Sequence, residues 1–488
     1  SDVVSPKWGG PNGNEKINDS KAFRQASAYL QKKGGGHLWI PDGTYLVGEQ
    51  VKDAGSGFKL KPQNVIFLEN LKSELVIEGQ SLEKTRFKLA PGLKFGSFDP
   101  KSGKKFDPPK TGRFTDLQYA ADVGVMLEVR GSADVSIKNL ELDGNLQSLK
   151  LGGRWGDVGW QRTACGLRLY NNHKLNLQNL NVHHHGLDGI LVGFTGLTEK
   201  DPVHPYLIEN VRAEYNARQG LSVVGGNSIV IRKSKFNHTG RAGFKSSPGA
   251  GIDIEAEKAI IRNVLIEDVE AINNMGIGIV ADSGDSAGIT IRKARVVGTT
   301  NYALWLRKPK VRLENSHITG SVVNFLTKPK ADAFVSVETT FDDFDYISPS
   351  GENLGAFRKS AVIELDHNGG EALFEKATII GVKTKPIWMD GGILKDSTVI
   401  LKKSDLKSGD FAILVRSTAL QNVTFKFEPV EPAPEAPKPA WYIASDSCLA
   451  DAVSRSHVFL KGEINGKRYL NWCSSTHVQS GEDLFPNK

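Results

Sequence analysis

Between Asn210 and Ala281 apolar and polar residues alternate in short runs, each opened by a glycine: Gly220-Leu221-Ser222-Val223, Gly251-Ile252-Asp253-Ile254-Glu255 and Gly276-Ile277-Gly278-Ile279. Alternation of period two predicts strands that bury one face and expose the other. Small residues opening such strands recur at Gly166, Gly189, Gly220, Gly251, Gly276 and Ala303, with spacings of 23, 31, 31, 25 and 27 residues. That is the repeat length of a solenoid coil with loop insertions. Each coil carries a second short strand, as at Leu175-Asn176-Leu177, Ile229-Val230-Ile231, Ile289-Thr290-Ile291 and Val311-Arg312-Leu313. Asn, Gly, Asp and His fill the corners between strands, where tight turns need them. Long helical patterns between strands are missing, which disfavours a doubly wound α/β sheet. The pattern therefore predicts an all-β solenoid of the parallel β-helix type.

The N-terminal segment differs. Ala22, Phe23, Ala26, Tyr29 and Leu30 recur at helical spacing, so a helix is expected over 14–33, capped by Asn18 or Asp19 and ended by Gly34-Gly35-Gly36. A strand, a tight turn at Pro41-Asp42-Gly43 and another strand follow. The run Asp19-Ser20-Lys21-Ala22-Phe23, the three glycines and Ile40-Pro41-Asp42-Gly43-Thr44-Tyr45 together resemble the N-terminal lead-in of pectate-lyase-like right-handed parallel β-helix proteins. The resemblance implies right-handed winding, with the helix capping the open end of the coil. The expected organisation is an N-terminal capping segment over 1–36, a parallel β-helix over 37–427, a proline-rich linker over 428–439 and a small C-terminal cap or tail over 440–488. Segments 92–115 and 146–161 read as loops leaving the coil.

Composition narrows the function classes. Lys and Arg number 62 against 55 Asp and Glu, a net charge of +7. Such a field suits an acidic glycan as well as plain solubility. The basic residues are scattered, without a Lys/Arg run interleaved with aromatics, so nucleic acid is not an expected partner. No apolar run is long enough for a membrane-spanning helix, so membrane insertion is not expected. Cys165 lies in an apolar strand pattern and is expected to be buried. Cys448 and Cys473 lack metal-ligand spacing and are read as a disulfide, the alternative being two free thiols. A disulfide implies an oxidising compartment, so a secreted or periplasmic protein is expected, in mature form with its leader already removed.

The chemistry sits on the outward positions. If Ile252 and Ile254 point into the core, Asp253 and Glu255 point outward, side by side. With the strands stacked, one outward column reads Arg168, Leu191, Ser222, Asp253, Gly278, Trp305, and the next reads Tyr170, Gly193, Val224, Glu255, Val280, Arg307. Residues two apart on a strand are separated by roughly 6.6 Å along the chain. Inverting glycosidases place two carboxyl groups roughly 6.5–9.5 Å apart. Asp253 and Glu255 are therefore the leading catalytic candidates, with Asp188 or Asp282 assisting. An alternating acidic strand is equally the pattern of a solvated face.

Arg168, Tyr170, Arg218, Gln219, Trp305 and Arg307 are candidate substrate-binding residues. The loop from Arg241 to Ala250, with Arg241 and Lys245, is expected to overhang the same groove. His183-His184-His185 resembles a metal cluster, but adjacent residues cannot all face one ion. No metal site is assigned, and His185 is taken as a groove-facing histidine.

Within the pectate-lyase-like group, Leu187-Asp188-Gly189 matches part of the polygalacturonase pattern, while Arg218-Gln219 stands where its paired aspartates would be. The Asp-Pro-His motif of alginate epimerases does not occur. Asp253-Ile254-Glu255 followed by Lys258 is similar to the acid-x-acid and lysine arrangement of calcium-dependent lyases.

The readings are three. The first is a glycoside hydrolase acting on a polysaccharide or oligosaccharide, with no cofactor. The second is a lyase or epimerase on a uronic-acid glycan, with Ca²⁺ on the acidic pair and Lys245, Lys258 or Arg241 as base. The third is a non-catalytic adhesin or tail-fibre β-helix binding sugar through Trp305, Tyr170 and Arg307.

Overall fold

The computed structural model describes residues 3–4, 12–53, 60–107, 119–154, 161–243, 245–366, 370–403, 411–416, 418–428, 441–445, 457–460 and 469–470. Two compact units are present. One comprises Ser1–Leu265, Val269–Gly276 and Ser283–Asp285; the other comprises Ile266–Asp268, Ile277–Asp282 and Ser286–Lys488. Both are built from coils of a parallel β-helix.

In the first unit, Ile66–Glu69, Gly124–Arg130, Ala164–Tyr170, Asp188–Gly193, Gln219–Val223 and Ile252–Ile254 pair in parallel, one strand per coil. A second face stacks Val135–Asp143, Leu175–His183, Tyr206–Glu214 and Gly226–Lys235, also in parallel. The inward positions of both faces are fully buried aliphatics, among them Leu167, Ile190, Leu221, Ile252, Ile254, Leu177, Ile208 and Ile231. Parallel strands covered on the inner side bury branched residues against the same residue type one coil away.

Glycines recur at the start of the first face because space is missing there. A Cβ on Gly166 would lie 2.7 Å from the carbonyl oxygen of Gly189, one on Gly189 would lie 3.0 Å from that of Gly220, and one on Gly220 would lie 2.7 Å from that of Gly251. Corners of the second face use the left-handed region instead. Asn139, Asn179 and Asn210 all have φ between 50° and 58°. Their side chains form a ladder: Asn210 Nδ2 donates to Asn179 Oδ1 at 2.7 Å, and Asn179 Nδ2 donates to Asn139 Oδ1 at 3.1 Å. Asparagine tolerates this backbone better than other residues with a side chain, which explains the choice.

The helix spans Ser20–Lys33, not 14–33, because Asn14–Asn18 pairs as a strand with Gly43–Val47. Asp19 stands at the cap position, but its carboxylate accepts the N–H groups of Asn12 and Gly13 at 2.9 and 3.2 Å rather than capping the helix. Phe23 packs its ring against Tyr45 and Phe87. Gly34, at φ 78°, closes the helix by donating to the Leu30 carbonyl. Part of the segment expected to be loop folds into a side sheet. Lys94–Ser97 pairs with Ala120–Ala121 and with Lys150–Leu151.

In the second unit, Ile279–Ala281, Leu304–Leu306, Val322–Val323, Ala361–Leu365, Lys385–Asp390, Phe411–Arg416 and Trp441–Ser445 succeed one another in parallel. Here the expected alignment needs correcting. Val280 pairs with Trp305 and Ile279 with Leu304, so Ala303 stands level with Gly278 rather than with Gly276. Cys448, Cys473 and the proline-rich stretch 429–439 lie outside the described residues, and the expected disulfide with them.

Candidate functional site

The outward face of the first unit is where polar residues converge. Ladder pairing sets Glu128, Arg168, Leu191, Ser222 and Asp253 in one column. Arg130, Tyr170 and Gly193 stand in the next, which Val224 and Glu255 continue just past their strands.

Asp253 and Glu255 lie in different surroundings. Asp253 is only 7% exposed. Gln219 Nε2 donates to its Oδ2 at 2.6 Å, and the Ala250 N–H donates to Gln219 Oε1 at 2.9 Å. Gln219 thus hands a hydrogen bond from the loop backbone on to the acid. Glu255 is exposed beyond the end of the strand.

Asp188 is fully buried, and Arg218 holds it through two hydrogen bonds of 2.7 and 2.5 Å. Burial disfavours the Arg218 charge, but the Asp188 carboxylate outweighs it and holds the guanidinium above its ordinary range. The remaining Arg218 donor, Nη1, reaches Gln161 Oε1 at 2.6 Å. The pair is a structural clamp under the face, and its charges are matched before any ligand arrives. Glu128, 5% exposed, likewise accepts from Arg168 Nε at 3.1 Å and from Arg130 Nε at 2.7 Å.

The open space lies at the C-terminal ends of these strands. Arg130, Tyr170, Asn171, Thr195, Val224, Glu257 and Lys258 line a cleft of about 610 Å³. The Arg130 guanidinium lies 5.8 Å from the centre of the Tyr170 ring and 5.7 Å from that of Phe67, within reach of cation–π attraction to both. The Thr195 N–H donates to Asn171 Oδ1 at 2.6 Å and draws the loop to the rim. Burial pushes the Glu257 carboxyl up from its ordinary value, and the neighbouring Glu255 charge pushes the same way. Glu257 is nonetheless exposed, and solvent screening tempers that effect. Burial also raises the Tyr170 phenol, so its hydroxyl stays protonated at neutral pH.

Several expected site residues are elsewhere. Arg241 donates to the carbonyls of Asn273 and Asn274, and its loop is tied to the opposite, N-terminal end of the strands, where the Ser246 N–H donates to the Ala217 carbonyl. Lys245 is exposed on that same loop. His185 does not face a groove. It is 3% exposed, its Nε2 donates to the Leu142 carbonyl at 2.9 Å, and burial pushes its pKa down to about 3. Asp282, Trp305 and Arg307 belong to the second unit. There Asp282 and Arg307 are exposed, and Trp305 packs edge-on against Tyr302, which meets Phe357 at 5.0 Å.

Glu257, Arg130, Asn171 and Thr195 are not among the residues that the sequence singles out. For Glu257 a signal exists: the alternation Asp253-Ile254-Glu255-Ala256-Glu257 runs three residues past the end of the strand at Ile254.

Comparison with known proteins agrees with this architecture. Residues 124–323 match the family model described as a right handed beta helix region. Curated proteins give no significant sequence match. Among solved structures, the A-module of an Azotobacter vinelandii mannuronan C-5 epimerase is 13% identical with a TM-score of 0.46, covering 98% of this chain and 99% of that one. The pre-mature gene product 12 of bacteriophage phi29 is 13% identical with a TM-score of 0.49, covering 97% and 57%. A tailspike protein of the Acinetobacter baumannii bacteriophage Fri1, a capsular polysaccharide depolymerase, is 11% identical with a TM-score of 0.39, covering 87% and 62%. The chain thus spans less than two thirds of either phage protein. Residues 124–323 thus resemble the right handed beta helix region family, and the fold of the chain is a right-handed parallel β-helix.

Proposed function

We propose that this protein binds a polysaccharide or oligosaccharide in the cleft at the C-terminal ends of the face strands and hydrolyses it. The observation that carries the reading is Glu257, whose carboxyl is pushed up by burial and by Glu255 in a cleft walled by Tyr170 and Arg130. Two acids whose surroundings push their protonation apart are the requirement for acid and base roles in glycosidic cleavage. Glu257, whose carboxyl is pushed up, donates a proton to the leaving oxygen; Glu255, two residues earlier on the chain, activates water. Asp253 is a positioning residue, held by Gln219 beneath them. Tyr170 offers a ring to a sugar face, and Arg130 and Lys258 favour a glycan carrying carboxylates. A secreted or periplasmic setting belongs to the same reading.

A lyase acting on a uronate is the second reading, favoured by the two cations, Arg130 and Lys258, that line the cleft together with Tyr170. A panel of acidic and neutral polysaccharides, read by product mass, separates the two. A gain of one water per cut supports hydrolysis, whereas unsaturated ends without added water replace it with elimination. E257Q and E255Q should each abolish turnover while keeping the wild-type melting curve; full activity in both ends the proposal. Binding without any product would make the cleft a recognition site only.

A further inference from the structure

The second face of the first unit carries a cluster unrelated to the cleft. Asp143, His183 and His184 place one ligand atom each within 4.8 Å of one another. Adjacent side chains on a strand ordinarily point to opposite sides. His184 escapes that rule because its φ is 56°, in the left-handed region, which turns its ring back towards His183. The two rings meet edge to face with centres 4.9 Å apart, and their Nδ1 atoms are 2.6 Å from each other. His183 Nδ1 is 3.8 Å from Asp143 Oδ1. The third histidine of the run, His185, is buried elsewhere against the Leu142 carbonyl.

The surroundings fix this geometry. Glu141, 8% exposed, accepts a hydrogen bond from His183 Nε2 at 2.7 Å and another from Arg86 Nε at 2.8 Å. A proton held on Nε2 leaves the Nδ1 lone pair aimed at His184 and Asp143, which is the carboxylate–histidine arrangement that orients metal ligands. His184 is stacked on Tyr215 at 5.2 Å, and Tyr215 on His238 at 4.7 Å, so its ring cannot swing away cheaply. The Asn145 N–H donates to Asp143 Oδ1 at 2.7 Å and holds that carboxylate in place. Ladder pairing sets Asp143, His183 and Glu214 level on three successive strands, so Glu214 borders the fourth position.

We propose that Nδ1 of His183, Nδ1 of His184 and the Asp143 carboxylate form a binding site for a divalent transition-metal ion of the Zn²⁺ class. Two imidazole nitrogens and one carboxylate suit that class, and the fourth position is left for water or Glu214. With Zn–N bonds of about 2.0–2.1 Å, a tetrahedral edge is roughly 3.3 Å. The two nitrogens, 2.6 Å apart, need to part and the Asp143 oxygen, 3.8 Å from His183 Nδ1, needs to close in, each by less than an ångström. The ion would pin successive coils together on the side remote from the cleft chemistry.

Titration of the metal-stripped full chain with Zn²⁺ alone, followed by calorimetry, should show one saturable equivalent. Co²⁺ in its place should give the visible absorption of a four-coordinate site. D143N and H184N should each weaken binding about tenfold or more, and E141Q, which touches no metal, should weaken it by about 10- to 100-fold. H204A, which alters the separate His173–His204 stack, should leave the stoichiometry and affinity unchanged. Absence of saturable binding to the wild type, or undiminished binding in D143N and H184N, overturns the proposal. Circular dichroism of each variant before titration separates loss of the site from loss of the fold.

Discussion

Arg218 grips the fully buried carboxylate of Asp188 with two parallel hydrogen bonds, Nε to Oδ1 at 2.7 Å and Nη2 to Oδ2 at 2.5 Å. The two residues come from neighbouring coils, so the clamp joins them beneath the face on which the cleft is built. Removing one partner strands a buried charge. R218M should lower unfolding free energy by about 3–5 kcal/mol in a denaturant titration. Combining it with D188N should recover part of that loss; a single variant as stable as wild type would show the pair to be dispensable.

His185 provides a pH signature. Its pKa is pushed from an ordinary 6.5 down to about 3 by burial, so below 6.5 the unfolded chain binds a proton that the folded one refuses. The stabilising contribution of the neutral imidazole is complete above 6.5 and drains away as pH falls through the window towards 3. The full effect is on the order of a few kcal/mol. Melting temperatures between pH 6.5 and 5, above the range of most carboxylates, should fall in the wild type and stay flatter in H185Q.

The titration of Glu257 can be followed directly. Its midpoint should lie above the ordinary 4.5 and move down in E255Q, because the Glu255 charge is the second cause of the shift after burial. Carboxyl-resolved NMR measures both values. A midpoint unmoved by E255Q would dissolve the acid and base pairing.

The Tyr170 ring, against which Arg130 lies at 5.8 Å, should behave as a platform. Y170F should keep oligosaccharide affinity within a few-fold, whereas Y170A should lose about 1–2 kcal/mol of binding, or roughly 5- to 30-fold. Equal losses in the two variants would instead assign the contact to the hydroxyl.

Gly220 is held by space alone. An added methyl would meet the Gly251 carbonyl at 2.7 Å and the Ala213 carbonyl at 3.1 Å, both backbone atoms that cannot step aside. G220A should cost about 1–3 kcal/mol, read as an earlier denaturant midpoint.

The inward phase of the coils is legible in the sequence because alternation is a local property: Ile252 and Ile254 are fully buried, as their spacing requires. The two-residue slip at Gly276 and Gly278 has the same origin. Gly276-Ile277-Gly278-Ile279 repeats with the strand period, so alternation cannot tell one glycine from the other, and only the pairing of Ile279 with Leu304 decides. The burial of Asp253 depends on Gln219 and Ala250, brought to it by coiling and by a loop whose course no periodicity encodes. Arg241 and Lys245 belong to the expected coil but to the other end of its strand, because column arguments carry no information about where along the strand a loop returns. Adjacent histidines are barred from sharing an ion by a rule that holds for extended backbone, and His184 is not extended.

The stacked glycines at 166, 189, 220 and 251 act as a datum from which every coil is measured. Length can therefore vary only in the excursions between them. Gly189 to Gly220 takes 31 residues where Gly166 to Gly189 takes 23, and the surplus falls in 194–205, the excursion that delivers Thr195 to the rim and is pinned by Phe194 stacked on His204 at 4.5 Å. Exchanging that excursion would give the cleft a new rim, while the frame that carries it keeps its pitch.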